Sequence, residues 1–299
     1  MKRDGITPYG WMLASCGWFS AMGVLAHGLK ESCDWQAVAF ARSALATLFA
    51  FLLSLAAGTP LVFLRPRVLW IRSLAGSSSM IGTFYALTHL PVSDVLTLTN
   101  TYPIWVAILS WPLAGERPTL SVWGAVACAV AGVAITQNAD FSRLESAHFA
   151  ALFAAFFTAI AMLGLNRLHG VASLAVVVHF SAVSTVVCLI AYFTFETPIG
   201  TGHQTEAPVL LQMLAVGVTA TVGQVFLTKA YRAGSATRVS VVGLSQVVMV
   251  MLYEAMIEGR HFEPRQIIGT VLVLGPTAYL MVRERRRASA PVVEPIQPG

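Results

Sequence analysis

The chain has 299 residues, 56% of them hydrophobic and only 11% charged, with a mean hydropathy of +0.71. A soluble domain carries about 25% charged residues, so this composition excludes a soluble globular protein and points to the lipid bilayer as solvent. The formal charge of +5 does not imply a nucleic-acid partner, because the basic residues are scattered through short connections and the last turn of the chain, where they act as topology signals.

A helix needs about 20 mainly apolar residues to cross the hydrocarbon core. Ten such runs occur, near 8–28, 36–57, 69–88, 92–113, 119–137, 147–167, 171–195, 208–230, 235–257 and 266–283. Within the first, Leu13-Ala14-Ser15-Cys16 looks like a lipoprotein processing site, but Asp4, Gly5 and Pro8 leave no apolar core before it, so Cys16 reads as an ordinary residue of the span. Arg42 lies seven residues into the second run. It either binds an anionic substrate group or snorkels outward to pair with Asp34 or another loop acid, and the structural role is favoured. Only His89, Leu90 and Pro91 separate the third and fourth runs, which keeps a nine-span count open.

The fourth run is the most unusual. Thr97, Thr99, Asn100, Thr101 and Tyr102 sit near its middle, just before Pro103. Proline has no N–H to donate, so the Thr99 carbonyl loses its helical partner, and a broken polar helix centre belongs against a cavity. In the fifth run Gly124, Cys128 and Gly132 form a ridge of small residues, a packing face within the chain or in a homodimer. Cys16, Cys33, Cys128 and Cys188 show no CxxC spacing, and His, Asp and Glu do not cluster; no disulfide, metal or cofactor is expected. His179, in the seventh run, reads as hydrogen-bonded packing.

The eighth run places Gly217, Thr221, Gln224 and Thr228 on one face, as Gly76, Ser79 and Thr83 do in the third. The ninth places Gln246, Met249 and Tyr253 together, with Glu254 one step round. Glu254 is a candidate for proton coupling, since an acid inside the membrane is costly unless used. Trp18, Tyr85 and Trp105 lie deep in their runs and are candidates to line a cavity with Asn100, Tyr102, Gln224, Gln246 and Tyr253.

At an offset of 144 residues, Ala86 falls on Ala230, Tyr102 on Gln246 and Gly115 on Gly259. Five spans per copy is odd, so the two copies enter the membrane from opposite sides, and inverted repeats of this kind frame a substrate site near the midplane. The fold expected is all-α, ten transmembrane helices in two inverted five-helix repeats, residues 1–138 and 146–285, with a disordered tail from 286 to 299. Tyr102 and Gln246 are expected to face each other across the cavity. With the N-terminus in the cytoplasm, 14 of the 19 Lys and Arg fall inside, Arg65, Arg67 and Arg72 among them, which places both termini in the cytoplasm.

Tyr85-Ala86, Pro91-Val92-Ser93-Asp94, Pro103, Gly115-Glu116-Arg117, Gly124 and Gly132-Val133, with Arg42 in Phe40-Ala41-Arg42-Ser43-Ala44, resemble the EamA module of the drug/metabolite transporter superfamily. The resemblance implies an inner-membrane secondary transporter that exports a small polar metabolite, such as an amino acid or related compound, by alternating access. The second copy has Val247 where the first has Pro103, so the fourth helix is expected to be the more irregular of the pair. A membrane-embedded enzyme and a non-transporting subunit are the alternatives. HExxH, GxSxG, P-loop and GxGxxG are all missing from the chain.

Overall fold

The structure is a computed structural model that describes residues 7–29, 32–90, 92–138, 145–194, 206–258 and 263–289. Twelve helices account for nearly all of these residues, and no strand occurs among them. In chain order they are α1 (Thr7–His27), α2 (Trp35–Ala56), α3 (Arg67–His89), α4 (Val92–Thr99), α5 (Tyr102–Ala114) and α6 (Leu120–Gln137), then α7 (Ser146–Asn166), α8 (Ser173–Thr194), α9 (Ala207–Ala233), α10 (Ala236–Gly243), α11 (Ser245–Glu258) and α12 (Pro264–Ser289). Among the described residues, seven stretches are long and apolar enough to cross a membrane, α10 and the start of α11 counting as one. Leu52 and Leu55 on α2, Ile190 and Phe193 on α8 and Ile268 and Val271 on α12 are exposed. Apolar stripes of this extent suit lipid, not water.

Leu90 is extended between α3 and α4, so the third and fourth runs form separate helices. Gly115 closes α5 with a left-handed φ of 72°, and Asn138 closes α6 in the same way at 50°; a Cβ strains that conformation, and asparagine tolerates it better than most residues.

The strongest packing pairs are kept when the first six helices are exchanged with the last six, whereas α5 on α10, α8 on α9 and α7 on α9 have no comparable counterpart in the exchange. The closest neighbours are α1 with α9 and, in exchange, α7 with α3; α2 packs on α8, and α6 on α12. Ser43 meets Cys188 and Thr47 meets Thr185, so α2 and α8 run antiparallel. Cys128 reaches the Leu272 carbonyl while Arg283 reaches Ser121, so α6 and α12 run antiparallel as well. In these two pairs, the equivalent helices of the two halves point in opposite directions.

Cys128 and Gly132 of the small-residue ridge are used inside the chain. A Cβ on Gly132 would lie 2.8 Å from the Gly269 carbonyl, so α6 and α12 cross backbone to backbone. Gly124 is exposed and takes no part in the crossing.

The main core cluster lies toward the end of the bundle where α1, α3, α8 and α10 begin. It joins Tyr9, Met12 and Cys16 to Leu69, Leu163, Leu165, Val176, Tyr231 and Val239. At the other end burial divides into two separate clusters, one around Leu29, Val38 and Val209, the other around Ala86, Val95 and Ala147. A further cluster around Val126, Val133, Val241, Leu244 and Val273 joins α6 to α10, α11 and α12, and Tyr102 packs against both it and the main cluster.

Candidate functional site

Two interrupted helices meet at the centre. α4 gives way to α5 at Asn100 and Thr101, and α10 gives way to α11 at Leu244. These breaks correspond: Thr99 ends α4, Gly243 ends α10, and the two are 144 residues apart. The expectation of a one-sided irregularity is therefore corrected. The ninth run breaks without a proline.

Each break interrupts the backbone ladder, but only in the second half do side chains from elsewhere take up the freed carbonyls; in the first, Asn100 and Thr101 bond the Leu96 and Leu98 carbonyls, which already accept a backbone N–H. In the first half the polar cluster turns back on its own helix. Thr99 Oγ1 donates to the Val95 carbonyl at 2.7 Å, Asn100 Nδ2 to Leu96 at 2.7 Å and Thr101 Oγ1 to Leu98 at 2.6 Å. The costly polar run thus spends its donors within the last turn of α4.

In the second half the Leu244 N–H bonds to the Val241 carbonyl, and the Val247 N–H to that of Leu244. These three-residue bonds leave the carbonyls of Ser240 and Gly243 without their usual partners. Tyr102 Oη donates to Ser240 at 3.1 Å, and Cys16 Sγ approaches the Gly243 carbonyl at 3.4 Å. Ser20 Oγ donates to the Gln246 carbonyl at 3.1 Å. A tyrosine at one break therefore caps the other, and a Cβ on Gly243 would overlap the Tyr102 hydroxyl. The Tyr231 hydroxyl is buried beside that of Tyr102.

Among the other candidates, Trp105 packs edge-on against Phe156 of α7, 5.5 Å between centroids. Gln246 and Tyr253 are half-buried, and Trp18 is exposed. Tyr85 lies elsewhere: it lines an apolar surface groove of about 510 Å³ between α3 and α7 with Gly82, Phe149 and Phe153. The side chain of Glu254 lies outside the described residues. Gly76, Ser79 and Gly217 pack: Ser79 Oγ meets Thr158 Oγ1 at 2.6 Å, and a Cβ on Gly217 would lie 2.5 Å from that of Leu45.

Arg42 does not pair with Asp34. Its Nε and Nη1 point at the sulfurs of Met22 and Met80, at 3.1 and 3.0 Å, and thioethers are weak acceptors. Arg72, sorted by sequence among the cytoplasmic topology charges, is the larger correction. It is 1% exposed, its Nη2 donates to Gln224 Oε1 at 3.2 Å, and its Cζ stacks 3.7 Å from the Phe180 ring centre. Beside it, Ser73 Oγ and His179 Nδ1 are 2.8 Å apart. Sequence signals for this placement exist in Trp70, Ile71, Leu74 and Ala75 around the arginine and in Gly76 one turn on.

The EamA-like transporter family matches residues 7–137 and again 145–282. The pseudopaline exporter CntI of Pseudomonas aeruginosa is 30% identical over 226 residues, 75% of this chain and 78% of that protein. An uncharacterized transporter of Helicobacter pylori is 21% identical over 206 residues, 68% of this chain and 69% of that one. A crystal structure of another protein covers 96% of this chain and 100% of its own at a TM-score of 0.80 and 16% identity, a likeness of fold alone.

Proposed function

The chain belongs to the EamA-like transporter family, and on that premise we propose that it is a secondary transporter exporting a small polar metabolite, an amino acid or related compound, across the inner membrane by alternating access. It spans the membrane ten times in two inverted five-helix repeats, residues 1–138 and 146–285, with both termini and the tail from 286 in the cytoplasm. Family membership and the exporter relative argue for transport over a membrane-embedded enzyme or a non-transporting subunit.

The observation that carries this reading is the pair of corresponding breaks at the centre, the second of them held by a tyrosine from the first through the Tyr102 to Ser240 bond. Discontinuous helices at a repeat interface are where inverted-repeat transporters bind substrate. The main cluster at the end where α1 begins, bridged through Tyr102 to the cluster around Val241 and Leu244, and the divided burial at the other end fit a state closed to the cytoplasm and open outward. Tyr102, Gln246, Asn100, Trp105, Tyr253 and Trp18 line the path, with Gln224 at its closed end; Glu254 is the coupling carboxylate.

Cysteine replacements at Asn100, Tyr102 and Gln246 test the path. Labelling by a membrane-impermeant maleimide from the outer side supports it, and labelling from neither side rejects it. If Glu254→Gln leaves pH-gradient-driven uptake into proteoliposomes unchanged, the coupling role goes.

A further inference from the structure

We propose that Arg72 is the point at which the transported metabolite's carboxylate is held, so that the substrate is an anionic or zwitterionic acid and not a cation. This rests on the transporter reading above and names its substrate class. A guanidinium offers five N–H donors. Arg72 spends Nη2 on the neutral Gln224 amide, while Nε and Nη1 are buried without a partner. No carboxylate among the described residues lies within salt-bridge distance of it. An unpaired buried charge is among the most costly groups a fold can contain.

Arg72 sits only five residues into α3, within about 8 Å of that helix end at 1.5 Å per residue. A purely structural arginine there would snorkel to the interface. This one turns inward, and the fold makes room for it. A Cβ on Gly76 would lie 2.7 Å from Nη1 and 2.8 Å from the Phe180 ring, and one on Gly164 would lie 3.0 Å from the Arg72 Cβ. Nη1 and Nη2 together present a fork that matches the two oxygens of a carboxylate. Gln224 supplies an NH2 for a second bond. Lying within the closed half of the bundle, the guanidinium is exposed when that half opens toward the cytoplasm, the side from which an exporter loads.

The test uses the full-length protein purified in detergent, with L-glutamate, N-acetyl-L-glutamate and glutarate as probes, and sodium chloride at equal ionic strength and putrescine as controls. The acids are expected to raise the unfolding midpoint and the controls to leave it in place. Arg72→Gln should weaken the apparent affinity for the acids about ten- to hundredfold, the loss of one or two charge-assisted hydrogen bonds. Gln224→Glu sets an internal carboxylate against the guanidinium. It should raise the midpoint without any probe and abolish the response to the acids, and it carries the test if Arg72→Gln does not fold. No response of the native protein to any acid, or an unchanged response in Gln224→Glu, overturns the proposal. Export of a metabolite from liposomes that persists undiminished in Arg72→Gln overturns it while leaving the transporter reading intact; no export of any metabolite by the native protein overturns that reading instead.

Discussion

The contact between Tyr102 and the α10–α11 break allows a quantitative test. Tyr102→Phe deletes the hydroxyl that donates to Ser240, whose residue is fully buried; stranding that carbonyl costs about 1–3 kcal/mol. Gly243→Ala drives a methyl into the same hydroxyl and to 2.8 Å from Met12 Cε, about 1 Å inside an ordinary carbon–carbon contact of about 3.5–4.0 Å. Overpacking of this kind costs about 1–3 kcal/mol. In the double variant the methyl takes the space left by the missing oxygen, so the combined loss should fall short of the sum by about 1 kcal/mol or more. Reversible unfolding in mixed micelles measures the cycle, and counterflow in proteoliposomes measures its consequence. Gly243→Ala should slow exchange, because the two breaks no longer close on each other. Additive losses would mean that Tyr102 and Gly243 do not touch, and the cross-capped breaks would have to be given up.

Pro103→Ala offers an N–H to the Thr99 carbonyl, a gain of about 1 kcal/mol; insertion and yield should match the native protein while counterflow falls, and unchanged counterflow would make the break purely structural. Gly269→Ala should be among the most destabilising single changes, about 3 kcal/mol, because its Cβ would lie 2.6 Å from the Gly132 carbonyl and 3.0 Å from the Thr136 N, backbone atoms that cannot step aside; a thermal midpoint near native would refute the crossing. Arg42→Met strands no carboxylate among the described residues and keeps the thioether packing, so the midpoint and export should both hold; loss of export at an unchanged midpoint would overturn the structural role. Ser235 Oγ donates to Glu116 Oε2 at 2.8 Å across the two halves, so Glu116→Gln and Ser235→Ala should each cost about 1 kcal/mol and together no more than one of them, read by thermal unfolding.

Much of the architecture was legible along the chain. Hydropathy located the apolar runs, and the 144-residue offset aligned Thr99 with Gly243, where both helices end. Pro103 announced the first break because the loss of a hydrogen bond is written into its chemistry. The second break carries no such mark. Gly243 and Ser245 weaken a helix, the glycine by about 1 kcal/mol, without removing a backbone donor, and the interruption is held by Tyr102, Cys16 and Ser20, which lie more than 130 residues away.

The site was less legible, for a related reason. Polar type was readable at Asn100 and Thr101, yet their donors close the turn before them. Tyr85 sits deep in its run but looks into the surface groove between α3 and α7, since depth along a helix says nothing of rotation about it. Arg72 was counted as a topology charge because an arginine near a span end ordinarily turns toward water.

Sequence alone therefore determined that this chain lives in a membrane, that it repeats, and that its first half carries a break near the middle of the fourth run, since these follow from transfer free energy and from proline covalent chemistry. Tertiary structure decided that the fourth and ninth runs break in register and that Arg72 turns inward against Gln224 and Phe180. Helix rotation and the capping of freed carbonyls depend on which side chains arrive from the other half of the chain, and no local stretch contains that information.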